Sequence, residues 1–283
     1  MAKLTSAMLA KQVQDLPILP QTTLKIMEMT KDPKSTVTQV AEVISRDQAL
    51  AAKVLRMANS AFYGYARSIA TITDAVVILG FRALRELVLA ASLHGILQRE
   101  LKGYAMAKGE LWKHAVVCAF TARTLASRIK SVNTEEVFVA ALLHDIGKVI
   151  LHTYVREEFE KILHLVNHKK IPFTQAEMEV LGFDHAAVGA LVAEKWNLPV
   201  TLVEAIAFHH EPAKATVAPQ VTAITHVADT VCMIMGIGLG ADGLMYTFDQ
   251  SVLELLAITE QDIEKLIAEI SDHLLDINSL IDL

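Results

Sequence analysis

Apolar and polar positions recur at helical spacing along almost the whole chain, without the sustained alternation that a half-buried strand requires. An amphipathic segment from residue 7 meets the prolines of Leu16-Pro17-Ile18-Leu19-Pro20 and resumes over Thr22–Met29. Asp32-Pro33 closes it. Ser35 or Thr36 is placed to cap the next helix, and Gln39, three residues after Thr36, fits a capping box. Asp47 is positioned to cap a helix burying Leu50, Ala51, Val54, Leu55 and Met57, which Asn59-Ser60 ends before a turn at Tyr63-Gly64-Tyr65. Thr73 or Asp74 opens a helix that stops at Gly80, and a longer one runs from Arg82 to about Leu97. The pattern predicts a bundle of short helices.

The segment Val137–Lys148 departs from this amphipathic rule. Val137-Phe-Val-Ala-Ala-Leu-Leu143 is apolar all round and ends in His144-Asp145-Ile-Gly-Lys148. A helix apolar on every face is buried, so His144 and Asp145 are carried into the interior. A buried carboxylate needs a cation, a metal or strong hydrogen bonds.

Other residues of metal-ligating type arrive in a similar way. Glu110 and His114 lie four apart, which puts both on one helix face; taken alone, a capping or solvated role explains the pair as well. His185 follows Asp184, a candidate cap for a helix carrying Ala187, Val188, Leu191 and Val192. His209-His210 ends the apolar run Leu202–Phe208, and Asp229 sits inside the apolar stretch from Ala223. Five histidines and three carboxylates form a ligand list suited to Fe, Mn, Zn or a similar metal.

Composition narrows the class. The 283 residues are 53% apolar, with 12 Gly and 7 Pro, which excludes a disordered or low-complexity chain. A net charge of -6 without a basic patch argues against direct nucleic-acid binding. No apolar run reaches the ~18 residues of a spanning helix, and no secretory signal opens the chain, so a cytoplasmic location without membrane association is expected. Cys118 and Cys232 lie far apart in apolar surroundings and read as core packing, not as a disulfide. Trp112 and Trp196 read as core too. His94, His152, His164, His168 and His273 are expected at the surface or at helix ends, and His226, one turn before Asp229, either supports the ligands from behind or packs the core, packing being the preferred reading. The glycine run Gly236–Gly243 reads as a loop, and an acidic amphipathic helix over Asp262–Ile277 as a core-docking or homodimer contact.

The segments Leu16–Pro20, Val40–Asp47, Lys53–Ser60, Phe62–Gly64 and Ala75–Gly80 together resemble the HDOD family, an offshoot of the HD-domain metal phosphohydrolases found in bacterial signalling proteins. The resemblance runs from about residue 10 to at least 212. It implies an all-α fold in which an N-terminal helical subdomain (1–100) packs on an HD-like helical core (101–235), followed by a C-terminal helical extension (236–283). Members of the family are described as non-enzymatic, their HD ligand positions having decayed. The order Glu/His, His-Asp, His, His-His, Asp is nevertheless similar to the metal site of the wider HD superfamily, and especially to the HD-GYP cyclic-dinucleotide phosphodiesterases. By that resemblance Glu110, His114, His144, Asp145, His185, His209, His210 and Asp229 are metal-ligand candidates. Asp145 would bridge two metals, and Lys148 looks like the HD-x-x-K lysine that meets phosphate, so these two are the catalytic candidates. The metal implied is a divalent transition ion, Fe first, with Mn, Zn or Ni as alternatives. After His209-His210 stands Glu211–Pro219 and not the Gly-Tyr-Pro segment of those enzymes.

Two functions follow as expectations. One is a regulatory protein with a di- or multinuclear metal site that acts by binding signalling proteins or a nucleotide. The other is a metal-dependent phosphohydrolase acting on a nucleotide or a cyclic dinucleotide.

Overall fold

The structure is a computed structural model that describes residues 19–60, 63, 68–130, 132–241, 246 and 248–281. It is all-α: no strand occurs among these residues, and their one isolated bridge joins Leu101 and Met106. The described residues fall into two compact units, 19–95 with 269–281, and 96–268. The stretch 236–283, read from the sequence as one extension, is thus divided between them.

The first unit opens with α1 (Gln21–Met29), α2 (Val37–Ser45) and α3 (Gln48–Ala58). Their boundaries follow local chemistry. Thr36 accepts from the Gln39 backbone while the Gln39 side chain accepts from the Thr36 N–H, a complete capping box. Asp47 caps α3 by accepting from Leu50 N at 3.0 Å. The helix expected to open at Thr73 or Asp74 begins at Ile72, after Thr71, whose hydroxyl accepts from Asp74 N at 3.0 Å. That helix, α4 (Ile72–Leu97), is interrupted at Gly80, where φ is 75° and ψ 167°. Ile26, Val40, Ile44, Val54, Leu84 and Val88 are fully buried, and Arg85 holds the Thr30 carbonyl at 2.6 Å. His94, expected at the surface or at a helix end, lies in the last turn of α4 and is buried. The prolines' first helical segment and the Gly64-Tyr65 turn lie outside the described residues.

The second unit contains α5 (Glu110–Ala126), α6 (Thr134–Leu143), α7 (Lys148–Lys169), α8 (Phe173–Leu181), α9 (His185–Lys195), α10 (Val200–Phe208), α11 (Pro219–Ile234) and α12 (Ser251–Leu256). A final helix, α13, spans Glu260–Ile281. Helix α5 packs on α6 and α11, α7 on α8, α9 on α10, and α10 on α11. Every residue of α6 from Val137 to Leu143 is buried, as its pattern requires, and Phe120 meets Phe138 edge-on at 5.4 Å across the α5–α6 seam. Trp112, Trp196, Cys118 and Cys232 are buried, and neither cysteine is in a disulfide. The charged stretch Arg156–Lys170 belongs to α7 and its cap. No single described helix is long and apolar enough to cross a membrane.

Candidate metal centre

The site is assembled at helix ends. Buried α6 finishes at Leu143 and delivers His144 and Asp145 on the turn leading into α7. That turn needs Gly147: a Cβ there would lie 1.9 Å from the His185 carbonyl oxygen, so only glycine lets the His-Asp turn press against the start of α9. Asp184 caps α9 by accepting from Ala187 N at 2.7 Å, which places His185 on its first turn. His209 and His210 follow directly on α10, while His114 and Asp229 project from α5 and α11.

Hydrogen bonds on the far side of each ring fix which nitrogen faces inward. His114 Nδ1 donates to the Ile237 carbonyl at 2.9 Å, His144 Nδ1 to that of Ala141 at 2.7 Å, and His209 Nδ1 to that of Ile206 at 2.8 Å. A carbonyl can only accept, so these Nδ1 atoms carry protons and the Nε2 lone pairs point into the site. His185 is held likewise by Glu177, whose Oε2 lies 2.8 Å from Nδ1 and 3.1 Å from the backbone nitrogen.

The inward atoms form two groups hinged on Asp145. On one side, His114 Nε2 lies 3.1 Å from Asp229 Oδ1 and 3.3 Å from His144 Nε2, and Asp145 Oδ2 is 3.3 Å from His144 Nε2. On the other, Asp145 Oδ1 lies 3.4 Å from His185 Nε2 and 3.8 Å from His209 Nε2, and His185 Nε2 is 2.9 Å from His210 Nε2. The donor atoms of His185, His209 and His210 lie within 4.8 Å of one another, as do those of His114, His144 and Asp229, and those of His144, Asp145 and His209. Ligand atoms at about 2.1 Å from one tetrahedral ion are about 3.4 Å apart, so the observed spacings match shared coordination.

Two features show that this donor set fits a cation. Asp145 Oδ1 and His209 Nε2 are buried with no hydrogen-bond partner. With both Nδ1 atoms protonated, the Nε2 lone pairs of His114 and His144 face each other at 3.3 Å, which needs a proton or metal between them. The electrostatics agree. Burial alone would raise Asp145, but His144 and Lys148 hold it well below the usual carboxylate range. His114 and His144 keep Asp229 low against the same effect of burial. Burial would lower His144, yet Asp145 and Asp229 push it up to about 10, whereas burial and the charge on His144 drive His209 down to about 3.

Not every expected residue joins. Glu110 Oε2 accepts from Ala107 N at 2.8 Å and closes the turn before α5, and it belongs to neither group. Lys148 Nζ sits 2.6 Å from Asp145 Oδ2, buried, with the Tyr104 ring 5.8 Å away.

Several further residues support the site, and of these Glu177, Tyr246 and Glu204 escape a reading of the sequence. Glu177 also accepts from the Tyr104 hydroxyl; its place on the buried face of α8 with Phe173, Ala176 and Leu181 was the available signal. Tyr246 donates to Asp229 Oδ2 at 2.7 Å. His226 donates to the His209 carbonyl at 2.7 Å and accepts from Asp249 N at 3.0 Å, so it braces a candidate ligand as well as packing. Glu204 accepts from the backbone N–H groups of Thr216, Val217 and Ala218, fixing the segment that follows His209-His210. A cavity of about 760 Å³ opens on His185 and His210, with Phe173, Met178, Phe248 and Lys214 in its wall.

Comparison with known proteins agrees with this architecture. A crystal structure of an HDOD domain protein of unknown function from Geobacter sulfurreducens is 28% identical, covering 97% of this chain and 96% of that one with a TM-score of 0.76. A Shewanella amazonensis SB2B protein, provisionally named a phosphohydrolase, is 27% identical over 97% of both chains with a TM-score of 0.75. An uncharacterized protein of Treponema pallidum (strain Nichols) is 27% identical over 206 residues, which are 72% of this chain but only 39% of that protein's length. The HDOD domain itself matches residues 16–212, and the chain belongs to the HDOD family.

Proposed function

We propose that this chain is a bacterial regulatory protein of the signal-transduction type that carries a dinuclear metal centre and acts by binding a protein partner or a nucleotide, without turnover. The observation that carries this reading is the double role of Asp145. Its Oδ1 faces His185 and His209, its Oδ2 faces His114 and His144, and Lys148 is engaged on Oδ2 and does not line the cavity. His114, His144 and Asp229 would hold one ion, and His185, His209 and His210 the other, with Asp145 between them. The all-imidazole and carboxylate donor set suits Fe, and also Mn, Zn or Ni. Bound metal would supply Lewis acidity and fix the helix ends that meet at the site.

In this protein the residues themselves do the following. The Nδ1 hydrogen bonds orient the rings, Glu177 holds His185, and His144 and Lys148 keep Asp145 ionised. The alternative is a metal-dependent phosphohydrolase acting on a nucleotide or cyclic dinucleotide, for which the converging His and Asp donors and the cavity beside His185 and His210 speak. In that case Asp145 and Lys148 serve the chemistry, and Lys148 must leave Asp145 Oδ2 to meet phosphate.

The deciding experiment is elemental analysis of protein purified under low oxygen, beside the His144→Ala/Asp145→Ala double variant, followed by a phosphodiester hydrolysis screen with Fe, Mn, Zn and Ni. Bound metal lost in the double variant, with a blank screen, is the expected result. Metal-dependent turnover abolished by Asp145→Ala establishes the alternative. Absence of metal from both proteins removes the metal centre from the proposal.

A further inference from the structure

Resting on the metal reading above, the geometry points to two unequal metal positions: a sealed one at His114, His144 and Asp229, and an exchangeable one at His185, His209 and His210, which alone meets an oxyanion entering from the cavity.

The ligands of the first position are buried away from the cavity. His114, His144 and Asp229 are 1%, 0% and 3% exposed, and none of them reaches the cavity wall. Tyr246 does, and its hydroxyl bonds Asp229 Oδ2 at 2.7 Å while its ring stands 5.5 Å from that of His210. The phenol therefore separates the cavity from the first position. Gly238, at φ +63°, seats its backbone on His114, where a Cβ would come within 2.6 Å of the His114 Cβ. Lys148 Nζ occupies Asp145 Oδ2, the oxygen turned toward this position.

The second position is no more exposed at His185 and His209, each 0%, but it borders the cavity. His185 and His210 form part of the cavity wall. Behind them, Asp145 Oδ1 and His209 Nε2 accept no hydrogen bond. An ion here exchanges with solvent through the cavity, and an oxyanion such as phosphate can reach it, because an anionic oxygen is the donor these metals take from outside. An ion in the first position must pass Tyr246.

The test uses the full chain loaded with Zn²⁺ and challenged with excess EDTA, with release followed by a zinc-sensitive dye. Two ions per chain should leave in separate phases, the first about tenfold or more faster. His210→Ala should remove the fast phase and keep the slow one, and Tyr246→Ala should accelerate the slow one. Co²⁺ refilled into the fast position should change its visible absorption on addition of inorganic phosphate, while Co²⁺ in the slow position should not. Two ions leaving together, a fast phase that survives His210→Ala, or phosphate acting on the slow ion overturns the inequality and leaves the metal reading standing, whereas a single ion per chain overturns the inequality and the dinuclear count together. Failure to bind any Zn²⁺ overturns the metal reading itself. The wild-type release curve decides the question even if Tyr246→Ala does not fold.

Discussion

Glu177 Oε2 lies 2.8 Å from His185 Nδ1 and 3.1 Å from the His185 backbone nitrogen, so one buried carboxylate fixes both the ring and the main chain of a candidate ligand. Its other oxygen takes the Tyr104 hydroxyl. Such a partner sets the tautomer and basicity of a metal-bound imidazole. Glu177→Gln keeps the shape but removes the charge, and it should weaken metal affinity by about 10–100-fold with the helical content unchanged. Chelator competition read beside circular dichroism checks this. An unchanged affinity would reduce Glu177 to a packing residue.

Asp145 is the only one of the candidate donors whose two oxygens face both groups. Asp145→Asn should therefore release both ions, whereas Asp229→Asn should release one. Elemental analysis of the two variants separates the cases. Equal loss from both would show that the ions are held as a unit.

The sequence made the His144-Asp145 turn legible because an all-apolar helix has only one place to go, and the turn after it inherits that burial. The caps Thr36, Asp47 and Asp184 were legible because each acts within three residues of itself. Glu110 shows where spacing misleads. Four residues place it on the face of His114, but at the first position of α5 the nearby Ala107 N–H competes for its carboxylate. Glu177, Glu204 and Tyr246 were hidden for a different reason. A carboxylate in an amphipathic helix or a phenol in a loop reads as surface until a distant segment folds over it. Their partners are 8, 12 and 17 residues away.

Proton release should accompany metal binding. His144 stands at about 10 without metal and so is protonated at neutral pH, and its Nε2 must lose that proton to coordinate. Adding Zn²⁺ to metal-free protein in weak buffer at pH 7.5 should acidify the solution by at least one proton per chain, read with an indicator dye. No release would mean that His144 does not coordinate.

The same groups set the pH dependence of metal-free stability. The folded value of His144 lies above its ordinary 6.5, so its contribution is complete below 6.5 and is lost as pH rises through about 10. His209 lies at about 3, below its ordinary 6.5, so its contribution is complete above 6.5 and is lost as pH falls toward 3. Asp145 and Asp229, held low, add to the acid loss below their ordinary 3.8. Thermal melts of EDTA-treated protein should therefore show a maximum near pH 6.5 and lose stability on both sides of it, progressively down to about pH 3 and progressively up to about pH 10. Saturating metal should flatten the alkaline limb, because His144 is then neutral in the folded state.

Glu204 gives a prediction that does not depend on metal. It lies on α10, and its carboxylate collects the N–H groups of Thr216, Val217 and Ala218 at 2.5–3.0 Å. These amides lead directly into α11, the helix that carries Asp229. Burial alone would raise Glu204, but the three amides hold it below the ordinary carboxylate value. Glu204→Ala leaves the donors without their acceptor in a segment next to His209-His210. Each stranded donor costs about 1 kcal/mol or more where water cannot replace the carboxylate, and the exposed ones less, so a total loss of about 2 kcal/mol is expected. Glu204→Gln keeps one acceptor oxygen and should lose about half as much. Denaturant melts of the metal-free variants measure both values. If they match the wild type, water satisfies these amides and the Glu211–Ala218 segment is held by its apolar contacts instead.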